Sequence, residues 1–157
     1  MKIGLKAGER LFINGAVIRA ERKTNIELLN DAVFLLEAHV LQPEEATTPL
    51  RQLYFILQTM IIDPAAAGAV QDMFHLVLGS VKSAFSNKEV LMHLDKVEEL
   101  AKTDRWFEAM KVVRALYPLE ASLMLAEKNR RAQETRQTAP RPAPGENFQY
   151  GPRLAVV

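Results

Sequence analysis

The sequence predicts an α+β protein, with a small N-terminal antiparallel β module of about five strands followed by a helical domain of four to five helices. Three observations carry this reading. Apolar residues alternate at a two-residue period through the opening segment and recur at helical spacing beyond Pro49. Asn14-Gly15 is a two-residue hairpin signal, because both central positions of such a turn favour positive φ. Thr48-Pro49 and Asp63-Pro64 each place a capping side chain before a proline suited to the first helical position.

The strands follow in order. Ile3, Leu5 and Ala7 alternate with Lys2, Gly4 and Lys6, giving a first strand with one apolar face. Ala7-Gly8-Glu9 turns the chain into a second strand at about Arg10–Asn14, and Asn14-Gly15 turns it into a third at about Ala16–Glu21. Polar residues Arg22 to Asn25 turn it again, before strands near Ile26–Leu29 and Val33–Glu37. Short, evenly spaced strands of this kind predict a meander. A sheet of about 40 residues is marginal alone, so its apolar face needs the helices or a second copy to cover it.

The helices begin with Pro49 to about Ile62 and continue after Asp63-Pro64, where Ala66, Val70, Met73, Phe74, Val77 and Val81 fall at helical spacing. Ser86 and Glu89 have the spacing of a capping box for a helix striped by Val90, Leu91, Leu94, Val97 and Ala101. Asp104 is expected to cap a helix carrying Trp106, Met110, Val113 and Tyr117. Pro118 is expected to separate that helix from a last one at roughly Leu119–Arg136. From about Thr138 the chain is rich in proline and glycine and lacks the apolar density to offset ordering entropy. The predicted organisation is a β module at 1–46, a helical domain at 47–136 and a flexible tail at 137–157.

Composition narrows the function classes. The chain has 157 residues, 48% of them hydrophobic, and no cysteine, so disulfides, thiolate nucleophiles and the usual zinc sites are absent. Charges interrupt the first ten residues, unlike a signal peptide. The most apolar stretch, Leu53 to Ile62, falls short of the roughly 20 residues that cross a bilayer. A cytoplasmic protein without a membrane anchor is expected. Net charge is +1, and residues 127–157 hold six basic and three acidic side chains, so any nucleic-acid site must be a local patch.

The cations of the β module form the candidate RNA-binding set: Lys2, Lys6, Arg10, Arg19, Arg22 and Lys23. Lysine and arginine supply most phosphate contacts, and Lys2 and Lys6 share the polar face of the first strand. The competing reading is a solvated face balanced by Glu9, Glu21 and Glu27. Phe12, Tyr54 and Phe55 could stack on bases, but the last two lie in an apolar helix, where core packing is the simpler role. His39, His75 and His93 are dispersed, and there is no glycine-rich phosphate loop or nucleophile turn. No enzyme, metal or cofactor is expected. The helices from Ser86 to Tyr117 read as an antiparallel hairpin whose surface could serve a partner protein.

Two segments carry a family resemblance. Gly8-Glu9-Arg10-Leu11-Phe12-Ile13-Asn14-Gly15-Ala16-Val17-Ile18 resembles the opening motif of the FlbT family of alphaproteobacterial flagellar regulators. Leu41-Gln42-Pro43-Glu44-Glu45-Ala46-Thr47-Thr48-Pro49-Leu50-Arg51-Gln52-Leu53-Tyr54-Phe55 resembles its second signature. The resemblance covers about residues 1–120. It implies a post-transcriptional regulator of flagellin synthesis that acts through the 5′ untranslated region of flagellin messages. Such proteins repress translation or favour decay, activate in some relatives, and work with a small partner protein, FlaF.

The β module is also similar to the CsrA translational repressors, which are five-strand, strand-swapped dimers, through Gly8-Glu9, Ile13 and Gly15. Where CsrA carries its RNA-contacting arginine, three residues before the turn glycine, this chain has Leu5; the fifth strand reads Leu35-Leu36-Glu37 rather than His-Arg. No RNA contact is therefore carried over from CsrA. The expected partners are a flagellin messenger leader, a FlaF-type protein and, through the small sheet, a second copy of the chain. The alternative is an adaptor or chaperone that binds FlaF or flagellin and affects messages indirectly.

Overall fold

The computed structural model describes residues 1–140; the predicted tail lies almost wholly outside them. The β strands are β1 (Lys2–Leu5), β2 (Arg10–Ile13), β3 (Ala16–Arg19), β4 (Thr24–Glu27) and β5 (Phe34–Leu36). Short 3-10 turns at Glu37–His39 and Pro43–Glu45 lead to the helices α1 (Pro49–Ile62), α2 (Ala67–Ala84), α3 (Lys88–Lys102), α4 (Trp106–Ala115) and α5 (Tyr117–Thr138). The chain divides into two compact units at Ser122, so α5 runs from the first into the second.

The strands are not a meander. β1 pairs with β4, while β2 lies between β3 and β5, all antiparallel. Only the β2–β3 hairpin joins consecutive strands. Its turn has the expected chemistry, with Asn14 at φ 47° and Gly15 at φ 80°. The ladder continues past β3, where Ala20 N–H donates to Glu9 C=O at 3.0 Å and Gly8 N–H donates to Ala20 C=O at 2.7 Å. The next strand leaves the outer edge of β3 unpaired among the described residues. It crosses to β1 instead, setting Ile26 opposite Ile3. This buries Ile3, Leu5, Leu11 and Ala20 beneath Ile26, Leu28, Phe34 and Leu36.

α1 is the central helix of the first unit. It packs against α2 and α4 and also touches β2 and β5. Its Leu50, Leu53 and Leu57 are fully buried, and Gln58 is buried beside them. Thr48 caps it as the sequence predicts, its hydroxyl accepting from Arg51 N–H at 3.3 Å. Asp63-Pro64 starts a 3-10 turn rather than capping α2 directly, and Asp63 makes no side-chain cap bond. Lys82 of α2 bridges Asp95 and Glu98 of α3 at 2.8 and 2.5 Å. Phe74 meets Trp106 edge-on, 5.5 Å between ring centres.

Three boundary expectations are corrected. Asn87, not Ser86, caps α3, accepting from Val90 N–H at 3.1 Å. Asp104 does not cap α4; it holds φ 55° and reverses the chain, and Arg105 stands at the cap position without a side-chain bond. The break before α5 falls at Leu116 rather than at Pro118, because a proline near a helix start costs no hydrogen bond.

Among the described residues, no single helix is long and apolar enough to cross a membrane. α1 and the Pro64–Ala84 segment pass that test only together, and they bend by 110° at their junction.

Candidate nucleic-acid interface

All six candidate cations are exposed on the β module; the fold sets Arg10 opposite Arg19 in the β2–β3 register, brings Arg19 and Arg22 to one cleft, and leaves Lys2, Lys6 and Lys23 elsewhere. Arg19 and Arg22 line one open cleft of about 460 Å³ beside the end of β3. Leu5, Ile18, Ala20 and Ile26 line it with apolar surface, and Glu21 and Thr24 complete the lining. The apolar lining follows from the strand crossing: β4 brings Ile26 to β1, while the β2–β3 ladder carries Ala20 alongside. The cleft joins two guanidinium groups to an apolar surface, a combination that can meet phosphate and base together.

Arg10 is committed elsewhere. Its Nε and Nη2 donate to Glu37 Oε1 at 2.9 and 2.7 Å, and its backbone N–H donates to Glu37 Oε2 at 2.9 Å. The guanidinium beside it holds the Glu37 carboxyl below the usual range, and the carboxylate raises Arg10 in return. Arg10 is therefore a brace between β2 and the turn after β5. No local pattern signals this pairing, since the partners stand 27 residues apart.

The other cations are more dispersed. Lys2 sits across from Glu27 in the β1–β4 register. Lys6 lies at the Gly8 turn, its backbone N–H donating to the Glu9 carboxylate at 2.8 Å. Lys23 is exposed in the loop before β4. Residues 1–46 hold six basic and seven acidic side chains, a net charge of −1, so the cleft arginines form a local patch on a near-neutral module.

Tyr54 is buried, and its hydroxyl donates to His39 C=O at 2.8 Å, which makes it a core residue. Phe12 and Phe55 are half-buried. Among the described residues, no group of three or more histidine, aspartate or glutamate side chains is placed to hold a metal ion. In the second unit, Arg130 and Arg131 are both bonded to Glu127.

Comparison with known proteins fixes the family. The family described as flagellar protein FlbT matches residues 1–124. The chain is 55% identical over 124 residues to the probable flagellum biosynthesis repressor protein FlbT of Brucella anthropi, covering 79% of this chain and 82% of that protein. It is 54% identical over 127 residues to the protein of the same name from Brucella ovis, covering 81% and 84%. No solved structure matches it. The matched span takes in both units' shared boundary and the whole β module, and on this similarity the chain belongs to the FlbT family.

Proposed function

We propose that this protein regulates flagellum biosynthesis after transcription, by binding the 5′ untranslated leader of flagellin messenger RNA and modulating its translation and decay. The family membership, with relatives named as flagellum biosynthesis repressors, supports the regulatory role. The observation that supports RNA as the target is the cleft that Arg19 and Arg22 line with Leu5, Ile18 and Ile26. Guanidinium groups take phosphates by paired hydrogen bonds, and apolar surface accepts an unstacked base. A FlaF-type protein is the expected partner, helping a module with few free cations to hold the message.

The test is a gel shift of the flagellin leader with the full chain, alone and with FlaF, at several salt concentrations. Contact with several phosphates makes affinity fall steeply as salt rises. The absence of any shift in both conditions would exclude direct binding. The second reading, an adaptor that acts on FlaF or flagellin, is favoured by the net charge of −1 on residues 1–46. Pull-down of FlaF and flagellin by the chain without a leader shift would support it.

A further inference from the structure

Three cavities lie in a row along α4, away from the arginine cleft. The first, about 180 Å³, opens between the Ala38–Leu41 backbone and Tyr54, Arg114 and Tyr117. The second, about 130 Å³, shares His39, Tyr54 and Arg114 with the first and is floored by Leu35, Phe107 and Met110. The third, about 140 Å³, shares Phe107 with the second and adds Trp106, Val33 and Pro64. These shared walls make one groove between the β5 segment and α4, all within the first unit.

The dimensions suit side chains. A cavity of about 150 Å³ holds one benzene-sized group. From Phe107 through Lys111 to Arg114, the groove advances three or four residues at a time, about 4.5–6 Å. Alternate side chains of an extended strand are about 6.7 Å apart. Along α4 from Trp106 to Arg114 the groove runs about 12 Å, the reach of about four extended residues, and it continues past the helix end to Tyr117.

The charges select the ligand. Lys111 and Arg114 stand over the middle cavity, and neither pairs with a carboxylate among the described residues. The Lys111 ammonium lies 4.6 Å above the Phe107 ring. Of the nearby carboxylates, Glu45 accepts from Gln42 N–H at 2.8 Å and Glu37 holds Arg10, while Asp104 lines the third cavity at the far end from Arg114. The Tyr117 ring borders the first cavity, with its hydroxyl buried beneath.

We propose that this groove seats a short extended segment of a partner protein in which apolar side chains alternate with carboxylates. The apolar side chains fill the cavities and the carboxylates meet Lys111 and Arg114. A single strand of RNA fits less well. It calls for a continuous cationic track and open stacking surfaces, whereas Asp104 closes the Trp106 end of this groove. The proposal does not depend on the reading of the arginine cleft.

Trp106, the single tryptophan of the chain, lines the groove and reports on its occupancy. The full chain is titrated with three capped probes: the pentapeptide Leu-Glu-Phe-Glu-Leu, its lysine counterpart Leu-Lys-Phe-Lys-Leu, and pentauridylate. The acidic peptide is expected to change Trp106 emission saturably, and K111E and R114E to weaken it about tenfold each. Both positions are exposed, and far-ultraviolet circular dichroism checks that the variants fold. R19A/R22A is expected to keep peptide binding, which separates this site from the proposed RNA cleft. The proposal is overturned if the acidic peptide fails to saturate by about 1 mM, if both charge reversals leave its affinity unchanged, or if pentauridylate saturates the emission change in its place.

Discussion

The Glu120 carboxylate accepts a hydrogen bond from the Leu50 backbone N–H at 2.9 Å, across 70 residues of chain. Leu50 stands in the first turn of α1, where backbone donors have no partner within the helix. Glu120, in the first turn of α5, is 1% exposed and places its negative charge at the positive end of α1. Arg51 stands beside it, 3.9 Å from Oε1, with its guanidinium 4.5 Å above the Tyr117 ring.

Removing that acceptor leaves a buried donor unpaired. Glu120→Ala is expected to lower unfolding free energy by about 2–3 kcal/mol, and Glu120→Gln, which keeps an acceptor oxygen, by less. Urea denaturation of the full chain measures both. Equal stability of the alanine variant and the native chain would show that the buried contact contributes nothing.

Gln58 closes the other side of α1. Its amide donates to Leu41 C=O at 2.6 Å and accepts from Leu41 N–H at 2.8 Å, as a neighbouring strand would. Gln58→Leu fits the apolar surroundings but leaves both backbone groups unpaired, at a cost of about 2–4 kcal/mol. Hydrogen exchange at the Leu41 amide is expected to accelerate in the variant. Unchanged protection would mean another group satisfies it.

Glu37 restrains Arg10, so Glu37→Gln is expected to release a cation on the β module. If the leader binds there, affinity rises and the salt slope steepens by about 0.7, the value of one single-strand phosphate contact. The same release follows from acid. Because Arg10 holds Glu37 below the ordinary carboxylate range, the brace is fully present above that range and is lost as pH falls through the depressed value. A slope identical in native and variant chains would place Arg10 outside the interface.

In the second unit, the Arg130 guanidinium, aided by Arg131, lowers the Glu127 carboxyl to about 2. The folded value lies below the ordinary one of about 4.3, so the pairing supports the helix above pH 4.3 and is lost as pH falls towards 2. A carbon-13 titration of the Glu127 carboxyl is expected to show its midpoint near pH 2. A midpoint above 4 would mean the three side chains do not hold their bonded arrangement in solution.

Local signals were readable where local chemistry decides. Asn14-Gly15 makes its hairpin, Thr48-Pro49 starts α1, and the alternation of Ile3 and Leu5 marks the buried face of β1. Pairing between distant segments was not readable. The crossing of β4 to β1 sets Lys2 opposite Glu27, far apart in sequence, which no short window reveals. Gln58 reads as an interruption of an apolar run, yet it is buried and bonded to Leu41. Of the six candidate cations, alternation placed Lys2 and Lys6 on the polar face of β1, and the polar run marked Arg22 and Lys23 as turn residues. Neither could show that Arg19 and Arg22 share a cleft while Arg10 serves Glu37.

The most direct measurement compares leader binding by the native chain and by R19A/R22A across a salt series. Both arginines are exposed, so the variant keeps its core. The account predicts weaker binding and a logarithmic salt slope shallower by about 1.4, for two lost phosphate contacts. Affinity and slope indistinguishable from those of the native chain would contradict it.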